Sequence, residues 1–85
     1  MHMAKRYWMQ PAGAVIDALG GCKRTADIVG RSREQVWRWT QPRRRGGTDG
    51  LIPSQKIQQR ILDWSRENGN PVTPEMFFLP VDQAA

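Results

Sequence analysis

CKRTADIVGRSREQVWRWTQ, residues 22–41, divides at a single glycine into two short helical patterns. The spacing predicts one helix over about residues 23–29 and a second from residue 32 or 33 to residue 40. Ala26 is small enough to let two helices cross closely, and Gly30 can take the positive φ that a sharp turn needs. Val36 and Trp39 lie three apart, so they share one helical face and can pack back on the first helix. Arg33, Gln35, Trp37 and Arg38 are left on the other face. This is the pattern of a helix-turn-helix with its second helix exposed for reading a groove.

The flanks supply what such a motif needs to pack on. Before it, Val15, Ile16 and Leu19 recur at helical spacing after Pro11, and Gly20-Gly21 closes that helix. After it, residues 42–50 read as a flexible cationic loop, with Arg43-Arg44-Arg45, three glycines and Asp49. A further helix is expected from about residue 54, with Ile57, Ile61 and Trp64 as its apolar stripe and Leu62 widening it. Asn68-Gly69-Asn70-Pro71 ends it. Thr73-Pro74-Glu75 then predicts a cap and a last short helix over about residues 74–78. Tyr7, Trp8 and Met9 are too apolar for a free tail, while residues 80–85 read as a frayed end. The sequence therefore predicts an all-α chain of about five helices. It divides into an N-terminal segment (1–10), one domain (11–79, with the motif at 22–41) and a tail (80–85).

The chain has 85 residues, enough for one small core. Thirteen basic and eight acidic residues give a net charge of +5. Eight of the basic residues and only two acids (Asp27 and Glu34) fall between residues 23 and 45. That segment is +6, so the remainder is close to neutral. A basic segment on a neutral body points to a polyanionic partner, with nucleic acid first. The single cysteine, Cys22, allows no internal disulfide and no multi-cysteine zinc site, and fits a cytosolic protein. No membrane-length apolar run or signal-peptide pattern is present.

The positions of Ala26, Gly30, Val36 and Trp39 resemble the helix-turn-helix of phage repressor and Cro-like proteins. Leu19-Gly20-Gly21, the basic loop, Ile52-Pro53 and the run Val72-Thr73-Pro74-Glu75 with Phe77 are similar to small Cro-type regulators of bacteria and prophages. These include an antitoxin-like group and the domain called carph-isopro. The resemblance covers about residues 12–78. It implies a compact five-helix lambda-repressor-like domain that binds a palindromic operator in double-stranded DNA as a homodimer and acts as a repressor. It places Ser32, Arg33, Glu34, Trp37 and Arg38 at base-reading positions, with Gln35 beside them.

The chemistry of these side chains suits the role. A guanidinium at Arg33 or Arg38 can donate two parallel hydrogen bonds to guanine, Gln35 can pair with adenine, and Glu34 can accept from cytosine. Glu34 is equally placed to hold Arg38 in an i, i+4 ion pair. Trp37 can touch a thymine methyl, or pack against a neighbouring segment. Ser32 can cap the second helix and offer its hydroxyl to phosphate. Lys23, Arg24 and Thr25 stand at the start of the first motif helix, where phosphate is favoured. With Arg31, Arg43, Arg44 and Arg45 they make the expected backbone-contacting set.

Catalysis finds little support. His2 has no partner for a dyad, and Asp17, Asp27, Asp49 and Asp63 fall on different elements without a metal-ligand spacing. Gly46-Gly47 and Gly50 lack the Lys-Ser/Thr of a phosphate-binding loop. Cys22 lacks a base and reads as a small buried residue. No cofactor or small-molecule effector is expected. Two other readings remain open. One is a protein-interaction module using exposed aromatics (Trp8, Trp37, Phe77 and Phe78). The other is a weakly specific architectural DNA binder using the arginine loop.

Overall fold

Four α-helices follow one another in a computed structural model that describes residues 8–78. They are α1 (Ala12–Leu19), α2 (Cys22–Val29), α3 (Arg33–Arg38) and α4 (Gln55–Glu67). Two 3-10 turns, Arg43–Arg45 and Pro74–Phe77, complete the elements, and no strand occurs among the described residues. Among the described residues, four of the five expected helices are α-helical, and the expected one at residues 74–78 is not. The last element is a 3-10 turn, in which the Met76 and Phe78 N–H groups each donate three residues back, to Thr73 and Glu75. Leu79 and the tail lie outside the described residues, as do His2 and Tyr7.

α1 ends as its glycines require. The Gly21 N–H donates to Ile16 and the Gly20 N–H to Asp17, closing the last turn. α2 ends at Gly30, whose φ of 72° lies in the left-handed region, and the chain turns directly towards α3. α3 begins on a reciprocal cap. The Gln35 N–H donates to the Ser32 hydroxyl at 3.1 Å, and the Ser32 N–H donates to the Gln35 side-chain oxygen at 3.0 Å. Regular α3 stops at Arg38 rather than at residue 40. The N–H groups of Trp39, Thr40 and Gln41 each donate three residues back, and the Thr40 hydroxyl also donates to Trp37. Pro42 has no N–H with which to continue the ladder.

The core is one cluster. Ala12, Val15, Ile16 and Leu19 of α1 meet Ala26 and Val29 of α2, Val36 and Trp39, Ile57 and Ile61 of α4, and the loop residues Ile52, Val72 and Phe77. α2 packs against α1, α3 and α4, and α1 also packs against the C-terminal turn. Trp64 and Leu62 are only half-buried at its edge, so the stripe of α4 is narrower than its sequence suggests. Ser65 is fully buried. Its hydroxyl donates to the Val72 carbonyl at 2.7 Å and accepts from the Val72 N–H at 2.9 Å, tying the C-terminal segment to α4. Trp8 is half-buried against the same cluster, and the Met9 N–H donates to Thr40 at 2.9 Å. No helix among the described residues is long and apolar enough to cross a membrane. The radius of gyration, 12.0 Å, is close to the roughly 12 Å of a compact chain of this length.

Candidate nucleic-acid interface

α3 is a ridge between two grooves. At roughly 100° per residue, Val36 and Trp39 point one way and the arc from Arg33 through Trp37 and Glu34 to Arg38 points the other. Val36 and Trp39 are buried, whereas Arg33, Glu34, Gln35, Trp37 and Arg38 are exposed. On one flank, Arg33, Glu34 and Trp37 line a groove with Cys22 at the start of α2. On the other, Gln35 and Arg38 line a groove with Gly46, Thr48 and Ser54. The inward pair pins α3 to the core, and the outward residues are left to solvent.

Within this arc the side chains differ in freedom. Arg38 is paired with Glu34 at 3.2 Å, an exposed contact worth about 0.2–1 kcal/mol that a phosphate or base could displace. Arg33 has no ion pair among the described residues. Ser32 and Gln35 are engaged with each other's backbone, so Gln35 keeps its amide NH₂ and one lone pair of its carbonyl oxygen for a partner. Trp37 remains 44% exposed, so it is not packed away against a neighbouring segment.

Cys22 is half-buried, against the expectation of a buried residue. Burial pushes its thiol pKa up, and the nearby Arg33 guanidinium pulls less strongly the other way. The neutral thiol is therefore favoured, which makes it a poor nucleophile.

The backbone-contacting candidates divide more sharply. Lys23 and Arg24 are exposed on the first turn of α2, and Lys23 pairs with Asp27 at 3.4 Å. Thr25 must be withdrawn from the set. It is fully buried, and its hydroxyl donates to the Gly21 carbonyl at 2.8 Å, leaving nothing to offer a phosphate. Arg31 is exposed at the turn between α2 and α3.

The arginine loop is braced rather than loose. The Arg43 N–H donates to the Asp49 carboxylate at 2.7 Å, and the Arg43 side chain meets the same carboxylate at 3.3 Å. The Thr48 N–H donates to Arg38, the Asp49 N–H to Gln41, and the Thr48 hydroxyl to Leu51. Gly47 makes the closure possible, because a Cβ there would collide with the Gln41 and Arg38 carbonyl oxygens. Arg44 and Arg45 project from this frame, exposed and without ion pairs among the described residues.

Two cations were not visible as site residues in the sequence. Lys56 and Arg60, one turn apart on α4, line a cleft with Arg31 beside Gly30. Their i, i+4 spacing was the available signal, but charges outside an apolar stripe ordinarily mean a solvated face. The aromatic set also changes. Phe77 is buried and Trp8 half-buried, leaving Trp37 and Phe78 as the exposed pair. No family model matches this chain, and neither a curated protein nor a solved structure matches it.

Proposed function

We propose that this chain is a sequence-specific double-stranded-DNA-binding regulator of transcription. α2, the Gly30 turn and α3 would act as a helix-turn-helix of the lambda-repressor type, with α3 as the reading helix. One observation carries the reading: α3 is anchored by Val36 and Trp39 while Arg33, Trp37 and Arg38 stand outward, and exposed basic residues surround it on α2, the turn and the loop. Arg33 and Arg38 read bases; Lys23, Arg24, Arg31, Arg44 and Arg45 hold phosphates and set register. Function as a repressor follows if the site overlaps a promoter. Two copies on a palindrome would place two reading helices in successive major grooves.

Phe77 is buried and Trp8 half-buried, which leaves the alternative of a protein-interaction module with Trp37 and Phe78 of its four aromatics. The test is selection from a genomic fragment library at two salt concentrations. The expected result is an enriched palindrome, with binding that falls steeply as salt rises. Strong binding without any enriched motif would reduce the protein to an architectural binder. Absence of binding at about 100 mM salt, where electrostatic association persists, would end the DNA reading.

A further inference from the structure

Behind the Gly30 turn, α4 forms a cleft of about 310 Å³ lined by Val29, Gly30, Arg31, Lys56, Ile57 and Arg60. Three of these residues are cations, drawn from the turn and from α4, and no carboxylate lines the cleft. Asp63, one turn beyond Arg60, accepts hydrogen bonds from Gln59 and Arg66 instead. Arg31 and Lys56 have no ion pair among the described residues. Arg60 is held in place, since its Nη1 donates to the Val29 carbonyl at 3.3 Å. That leaves most of its five N–H donors unspent. The glycine matters here: a Cβ at position 30 would lie 3.1 Å from that same nitrogen.

The geometry points to a phosphate-binding site formed by Arg31, Lys56 and Arg60. Three cations line one cleft with no carboxylate among its lining residues, and each can donate charge-assisted hydrogen bonds to a tetrahedral phosphate. The cleft continues into the groove beside α3, because Arg31 and Ile57 line both. A phosphodiester of bound DNA or a free phosphorylated molecule presents the same chemistry. Only the DNA source rests on the function proposed above.

Two measurements on the full chain decide it. Inorganic phosphate is titrated while the backbone amide signals of Gly30, Arg31, Lys56 and Arg60 are followed by NMR. Separately, the salt dependence of binding to a short mixed-sequence duplex is recorded. Lys56→Gln is the main variant, because no hydrogen bond or ion pair of its side chain holds the fold. Arg60→Gln is the second, with a thermal melt to register the lost Val29 bond. The expected result is a saturable shift at these amides that Lys56→Gln weakens about tenfold, equivalent to one charge-assisted hydrogen bond. A fall of about 0.9 in the duplex salt slope assigns the phosphate to DNA. A changed phosphate titration with an unchanged slope assigns it to a free phosphorylated ligand. If Lys56→Gln alters neither measurement, the site is overturned. If the wild-type chain binds no duplex, the DNA reading fails and the phosphate titration alone settles this cleft.

Discussion

Arg33 and Arg38 are both arginines on one helix, but they are not equivalent. They lie roughly 140° apart about the axis, at opposite edges of the exposed arc. Arg33 borders the groove beside Cys22, and Arg38 borders the groove beside the loop and is tied to Glu34. Each should therefore read a different base pair. Replacing either with alanine should remove preference at one position of a recovered site, at a cost of about 1–3 kcal/mol for that pair. Arg44→Ala should weaken all sequences alike and flatten the salt slope by about one contact. Competition binding on a set of single-base variants separates these outcomes; equal losses across all variants for Arg33→Ala would remove it from the reading set. Cys22 gives a second test at this scale. Its raised pKa means less thiolate at any pH below the folded value. Alkylation by iodoacetamide should rise with pH later than for an unstructured cysteine peptide, and urea unfolding should restore the ordinary profile.

At the scale of elements, the two connections around α3 do different jobs. The Gly30 turn sets direction. With φ at 72°, alanine there should cost roughly 1–2 kcal/mol, read as a lower urea midpoint with an unchanged m-value. The second connection sets placement. Asp49 holds both the backbone and the side chain of Arg43, so Asp49→Ala should free the loop without touching Arg44 or Arg45. Duplex affinity should then fall although the chain gains a net positive charge; tighter binding would mean that charge, not placement, governs the loop. These elements also show what a sequence can disclose. Gly30, Val36 and Trp39 were legible because a turn glycine and a three-residue apolar spacing are local signals. Asp49 was not, because its partner lies six residues away across a turn that no local period predicts. Thr25 misled for the opposite reason. Its hydroxyl read as exposed, yet the side chain is buried here and donates to the Gly21 carbonyl. The candidate reading face was therefore legible from helical spacing, whereas the brace and the Arg31–Lys56–Arg60 cleft arise only when separate elements meet.

Over the whole molecule, the proposed function asks one small domain to combine a core with a binding face. The thirteen buried apolar residues among those described form a single cluster, so α3 shares one core with α1 and α4 as well as with α2. If α3 reads DNA as proposed, one such helix with two base-reading arginines spans too few base pairs to define a site in a genome, where competing sequences number about 10⁶ or more. Pairing two copies on one duplex would solve this without a larger core. The second binding event becomes intramolecular, which can raise avidity by about 10²–10⁴. Exposed apolar side chains exist for such a contact, with Phe78 at 72% and Leu51 at 49%. The expected outcome in sedimentation velocity is two chains per duplex carrying the recovered palindrome. Scrambling one half-site should lower affinity by at least about 10²-fold. Phe78→Ser should reduce two-chain occupancy while leaving half-site binding intact; unchanged occupancy would remove Phe78 from the contact. One chain per intact palindrome, with no loss on scrambling a half-site, would rule out the dimer and leave α3 reading alone.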